Sequence, residues 1–253
     1  MLAELLELAP GGVEETEPGD GTVEYAVYGA PGELPSLPDL KAAAGGALVD
    51  VTTRALAEDW DRRWRQFHHP LVLEHRLRVR PPWEPPGPEP LDLVIDPGQA
   101  FGTGAHPTTH LCLELILELA PGQGSFADIG CGSGVLALVA ARLGFGPVLA
   151  LDLDRAAVQA TRENAARNRV ELEARRFDLR SEQLPASRTA AANLLAPLLY
   201  EWVRRAGELP PRVIASGLLE HEGDGVAAAF AARGFREHRR RAAGGWLALL
   251  LEY

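Results

Sequence analysis

The chain has 253 residues, 46% of them hydrophobic and 24% charged, enough for a catalytic-size globular domain with a substantial core and one small module. No stretch approaches the roughly 18 uninterrupted apolar residues of a membrane helix, and residues 1–8 carry two acids and no basic cluster, so a signal peptide is not expected. A formal net charge of −10 argues against general attraction to a phosphate backbone; the expected partner is a basic protein surface, without direct nucleic-acid readout. The two cysteines, Cys112 and Cys131, suggest neither a metal site nor a disulfide framework, which suits a reducing cytoplasm.

In chain order, residues 1–56 read as a helix, a strand at 13–16, a strand at 22–28, a loop broken by Pro31, Pro35 and Pro38, a short helix at 40–44 and a strand at 47–54. This α-β-β-α-β order defines a small α+β module. Residues 57–90 connect it to the rest. Trp60, Trp64 and Phe67 fall at i, i+4 and i+7, predicting a packed helix; residues 71–80 predict a strand, followed by the stiff segment from Pro81 to Pro88.

Residues 91–253 alternate between the two periods. A strand at 91–95 leads through a glycine- and threonine-rich loop to a helix at 111–119, a strand at 126–128, a helix at 135–143, a strand at 148–151 and a helix at 155–168. Strands at 171–176 and 190–193, a helix at 197–208, a strand at 212–216 and a helix at 222–233 follow, closed by a hairpin of 235–241 and 246–252 around Gly244 and Gly245. Such alternation is the mark of an α/β fold. Arg236, His238, Arg239, Arg240 and Arg241 predict an edge strand kept soluble by charge.

The chemistry concentrates in Asp128-Ile129-Gly130-Cys131-Gly132-Ser133-Gly134, between a strand and a helix. Glycines at alternate positions let the chain turn sharply and bring bare backbone to a ligand. Asp128 can accept hydrogen bonds, and Asp152, closing the next strand, is placed to accept both hydroxyls of a ribose. The G-x-G-x-G spacing departs from the G-x-G-x-x-G of dinucleotide sites, so no pyrophosphate is expected; S-adenosylmethionine sites use this tighter form. Upstream, Asp96 to Thr109 is a shaped loop in which Thr108 or Thr109 stands at a helix N-cap position. Asp154 reads as the cap of the 155–168 helix, and Asp178 as a candidate acceptor for an adenine amino group.

Three motifs in order carry a resemblance. D-P-G-x-A-F-G-T-G-x-H-x-T-T at 96–109, D-x-G-C-G-S-G-V-L-A at 128–137, and Ala192-Asn193-Leu194-Leu195-Ala196-Pro197-Leu198, similar to A-N-I-L-A-x-P-L, resemble the ribosomal protein methyltransferases of the PrmA type. These trimethylate the large-subunit ribosomal protein numbered eleven. The resemblance runs from about Trp60 to the C-terminus. It implies a class I S-adenosylmethionine-dependent methyltransferase, with a Rossmann-like seven-stranded sheet, behind a ferredoxin-like module lacking its first strand, either through loss or through a misassigned start.

The resemblance also implies site roles. S-adenosyl-L-methionine would be held by Phe101, Thr109, Asp128, Gly130, Gly132, Asp152 and Asn193, with no metal, and Asn193 would be catalytic by holding an amine in line. His106 would orient its loop or assist a proton. The implied substrate is the amino groups, lysine side chains or an N-terminal amine, of a large-subunit ribosomal protein, free or on the ribosome. A different protein substrate, such as an electron-transfer flavoprotein subunit, is the alternative within enzymes; a non-catalytic S-adenosylmethionine-binding module is the alternative outside them.

Overall fold

The computed structural model describes residues 13–16, 23–27, 40, 50–52, 69–96 and 106–253. The chain divides into two compact units, Met1–Trp64 and Arg65–Tyr253. In the first, β1 (Val13–Thr16) and β2 (Glu24–Val27) pair antiparallel with Val13 opposite Val27. Leu40 is helical, but residues 50–52, expected inside a strand, form none; the Asp50 carboxylate accepts the Val51 N–H at 2.9 Å instead. The helix expected at the start of the chain and the one expected to carry Trp60, Trp64 and Phe67 fall outside the described residues.

The second unit opens with a three-stranded sheet of β3 (Leu71–Leu73), β4 (Leu77–Arg80) and β5 (Leu91–Val94) in that order. The single strand expected at 71–80 is a hairpin. Glu74 and His75 take left-handed φ of 50° and 53°, and the Arg76 N–H closes the turn on the Leu73 carbonyl at 2.9 Å. The proline-rich segment then returns the chain so that β4 and β5 pair in parallel. Arg80 ties that return, its Nε 2.9 Å from Asp92 and a guanidinium N–H on the Glu84 carbonyl.

The remaining elements are α1 (Pro107–Glu118), β6 (Phe126–Ile129), α2 (Val135–Arg142), β7 (Val148–Asp152), α3 (Arg155–Asn168), β8 (Glu173–Arg176), β9 (Thr189–Asn193), α4 (Ala196–Arg205), β10 (Arg212–Leu219), α5 (Gly223–Ala231), β11 (Arg236–Ala243) and β12 (Trp246–Glu252). Seven strands form one sheet in the order β11-β12-β10-β9-β6-β7-β8. The links β8 to β7, β7 to β6, β6 to β9 and β9 to β10 are parallel, whereas β12 runs antiparallel to both neighbours. The order reverses at β6. In open α/β sheets the crevice beyond the carboxyl ends at such a reversal is where ligands bind.

Both faces of this sheet are covered, which explains why its central strands are small and apolar rather than alternating. Leu113, Ile116 and Leu138 from α1 and α2 pack on one face; Leu199, Trp202, Val226 and Phe230 from α4 and α5 pack on the other. There Ala127, Ala190, Ala192 and Ala215 leave room for the edge-to-face run Trp202, Phe230 and Phe235. α4 ends at Arg205, short of the expected 208, where Arg233 donates to the carbonyls of Val203, Ala206 and Gly207. β11 is an exposed edge strand, as expected, with Arg239 and Arg241 on Glu118 and Arg240 on Glu237 and Asp224.

Candidate active site

The glycine-rich loop leaves β6 with its backbone still anchored to the neighbouring strand: Gly130 and Cys131 donate to the Leu151 carbonyl at 2.8 and 3.1 Å. Gly134 then starts α2 and brings no capping side chain. Asp128 supplies the cap from the strand below, its Oδ2 accepting the Ala137 N–H at 3.0 Å. Burial pushes this carboxyl up to about 7, against the pull of the Ala137 bond and with the help of nearby Asp152. Asp128 is 0% exposed and its Oδ1 has no hydrogen-bond partner among the described residues. The expected direct contact with a cofactor therefore gives way to a supporting role under the loop.

Asp152 ends β7 with its carboxylate drawn to the loop. Oδ2 accepts the Gly132 N–H at 3.0 Å and Oδ1 accepts the Asp154 N–H at 2.9 Å. Each oxygen keeps acceptor capacity for a ligand hydroxyl. Asp154 caps α3 through the Ala156 N–H at 2.8 Å, as expected. Asp178 is committed to its own turn, its oxygens accepting the Arg180 N–H and the Ser181 hydroxyl at 2.9 Å each, bonds that hold its carboxyl below the usual range.

Asn193 ends β9, the strand on the other side of the reversal, and lies in register with Ser216 of β10. The next residue donates its N–H to the Ser216 carbonyl at 2.9 Å. Gly217, at φ 82°, permits this approach: a Cβ there would stand 2.4 Å from the Leu194 carbonyl oxygen. Asn193 is half-buried, and among the described residues none hydrogen-bonds its carboxamide. The chain then enters α4 through Leu195, which is 60% exposed.

The N-terminus of α1 completes the edge, since Ser216 Oγ lies 3.4 Å from the Thr108 carbonyl oxygen. Its cap is His106, not either threonine. Pro107 occupies the first helical position, so the cap falls one residue earlier; His106 Nδ1 accepts the Thr108 N–H at 3.3 Å and lies 2.7 Å from the Thr108 hydroxyl. Burial, and then His110, lower the His106 pKa, the direction that favours the neutral ring able to accept. Trp246 meets it edge-on at 4.8 Å. Thr109 is 1% exposed and its hydroxyl has no hydrogen-bond partner among the described residues. Phe101 lies outside the described residues.

The edge thus offers bare backbone, an acid with free acceptor capacity, an open carboxamide and an unpartnered buried hydroxyl. These suit a nucleoside carrying an amino-acid tail. Among the described residues no group of His, Cys, Asp and Glu is arranged to hold a metal, and no helix is long and apolar enough to cross a membrane. A cleft of about 650 Å³ lined by Pro185, Pro211, Phe235 and Tyr253 lies at the opposite, amino-terminal edge of the sheet, away from this chemistry. Sequence reasoning missed Thr161 and Asn164 of α3, buried polar residues that hold the glycine loop from behind. Their only signal was polarity on the face of α3 that turns inward.

The strand order, the antiparallel β12 and the glycine loop with its acid define the fold of a class I S-adenosylmethionine-dependent methyltransferase. Residues 39–252 match the family model described as ribosomal protein L11 methyltransferase (PrmA), a match that begins well upstream of Trp60. The chain belongs to this family. A ribosomal protein L11 methyltransferase of Exiguobacterium sibiricum is 38% identical over 212 residues, 81% of this chain and 67% of that protein. One of Methylobacillus flagellatus is 36% identical over 232 residues, 85% of this chain and 76% of that protein. The crystal structure of a ribosomal protein L11 methylase from Lactobacillus delbrueckii subsp. bulgaricus superposes with a TM-score of 0.66 at 30% identity, covering 73% of this chain and 98% of that one.

Proposed function

We propose that this protein transfers methyl groups from S-adenosyl-L-methionine to amino groups, lysine side chains or an N-terminal amine, of a large-subunit ribosomal protein of the L11 type in the cytoplasm. The observation that carries the proposal is the pairing across β6: Asp152 joined to the Gly132 N–H on one side and the open carboxamide of Asn193 on the other, in a chain of the L11 methyltransferase family. The flavoprotein-subunit and non-catalytic readings have no comparable support.

When bound, the cofactor supplies an electrophilic methyl group on a sulfonium. Asp152 would accept the ribose hydroxyls, Gly130 and Gly132 would lend backbone contact, and the Thr109 hydroxyl and Phe101 would complete the cradle. Attack needs a neutral amine. A lysine in water has a pKa of about 10.4, and a desolvated position beside a positive charge lowers it. The residues need only hold that amine in line, and Asn193 Oδ1 with the following backbone carbonyl accepts its N–H groups for that purpose. The net charge of −10 favours a basic substrate. Residues 1–56 form the substrate-recognition module in this reading, 57–90 the connection and 91–253 the catalytic domain.

Incubation with methyl-labelled S-adenosylmethionine and ribosomes lacking these methyl groups, followed by mass mapping, tests the proposal. Label is expected on amino groups of one large-subunit protein. Label confined to RNA, or absent from every ribosomal protein, would overturn it.

A further inference from the structure

β5 bonds its odd-numbered residues to β4: Leu91 donates to the Arg76 carbonyl at 3.1 Å and Ile95 to the Arg80 carbonyl at 2.9 Å. The even-numbered residues face the other way, where no strand follows in the three-stranded sheet among the described residues. Buried backbone groups there need partners. Two asparagines of α3 supply them. Asn168 accepts the Val94 N–H at 2.8 Å and donates to the Val94 carbonyl at 2.6 Å, reproducing the double bond of a paired strand residue. Asn164 accepts the Asp96 N–H at 2.9 Å.

Asn164 does more than cover the strand. Its Nδ2 donates to the Ser133 carbonyl at 3.0 Å, inside the glycine loop. One turn earlier, the Thr161 hydroxyl donates to the preceding loop carbonyl, Gly132, at 3.0 Å and lies 3.3 Å from Cys131 Sγ. Thr161 and Asn164 are 0% and 1% exposed. Thr161 also presses on Gly134, where an added Cβ would stand 2.7 Å from its methyl group. Two successive carbonyls of the loop are therefore held from behind, on the side away from Asp152, which takes the Gly132 N–H.

We infer that Thr161 and Asn164 are positioning residues for the cofactor: by fixing the Gly132 and Ser133 carbonyls they set the peptide planes of the loop and aim its bare backbone at the ligand. Asn168 bonds β5 and, at 2.8 Å, the Asn164 carbonyl, but not the glycine loop, and so provides the internal contrast. A loop held in its bound shape spares the ligand the ordering cost, so loosening it acts on affinity. The inference rests on the cofactor assignment above.

The test measures S-adenosylmethionine and S-adenosylhomocysteine affinity, kcat and KM, and the unfolding midpoint for the parent and for Thr161→Val, Thr161→Ser, Asn164→Asp and Asn168→Ala. Thr161→Val is close in shape and removes the donor. Asn164→Asp keeps the acceptor for the Asp96 N–H and removes the donor that serves Ser133 at 3.0 Å and, at 3.5 Å, the Asp96 carbonyl. Each should raise Kd and the cofactor KM by about tenfold or more, with a much smaller change in kcat. Thr161→Ser should restore near-parental affinity. Asn168→Ala should lower the unfolding midpoint while leaving Kd within a few-fold of the parent. Parental affinity in Thr161→Val or Asn164→Asp, or an equal loss in Asn168→Ala, would overturn the positioning role. A parent that bound neither compound would instead overturn the cofactor assignment, and the positioning role with it.

Discussion

Asp152 serves the loop and the ligand with one carboxylate. It holds the Gly132 and Asp154 amides, and its remaining acceptor positions are the ones proposed for ribose. Asp152→Ala should accordingly weaken S-adenosylmethionine binding by about 2 to 4 kcal/mol, the scale of lost charge-assisted hydrogen bonds, with some loss of stability from the two abandoned amides. Calorimetry on the folded variant decides it; unchanged affinity would remove Asp152 from the site. Asn193 differs, because no described residue uses its carboxamide. Asn193→Ala should slow single-turnover methylation roughly a hundredfold while cofactor affinity changes much less. An alanine variant that methylates at the parental rate would leave the fold assignment standing and overturn the proposed positioning of the amine.

At the scale of elements, the start of α2 is built on a buried acid, and this has a consequence in pH. The folded pKa of Asp128, about 7, lies above its ordinary 3.8, so the folded state binds the proton more tightly than the unfolded one. The stabilisation from that proton is fully present below the unfolded value and is lost as pH rises through the folded value. Over the interval from about pH 4 to 7 its ceiling is of order 4 kcal/mol. Relative to Asp128→Asn, the parent should lose stability in urea between pH 5 and pH 8. Parallel stability curves for the two proteins would contradict the raised carboxyl.

The same element shows what a reader of the sequence can and cannot see. Asp154 was legible as a cap because an acid before a helix is a local signal. His106 was not, since serine, threonine, aspartate and asparagine lead at that position and only the placement of Pro107 moved the cap to it. The turn at Glu74 and His75 escaped because neither residue announces a left-handed conformation. Asn164 and Asn168 carry no local signal of their role, because that role depends on β5, some 70 residues away in the chain, needing partners.

Across the whole molecule, the alternation of strands and helices and the closing hairpin were legible because each element carries its own period. The reversal at β6, which brings Gly132, Asp152 and Asn193 to one edge, followed from family resemblance and appears directly only in the strand order. Everything proposed downstream depends on that edge holding a nucleoside with an amino-acid tail rather than a dinucleotide. Two features favour this: the tight glycine spacing, and Asp152 joined to the Gly132 N–H with acceptor capacity left for ribose hydroxyls. The direct measurement is the unfolding midpoint of the protein with S-adenosylmethionine, S-adenosylhomocysteine or NAD. A ligand at 100 times its Kd stabilises by about 2.7 kcal/mol, which corresponds to a rise in Tm of several degrees for a chain of this size. S-adenosylmethionine and S-adenosylhomocysteine should each produce that rise and NAD should not; a larger rise with NAD would contradict the account.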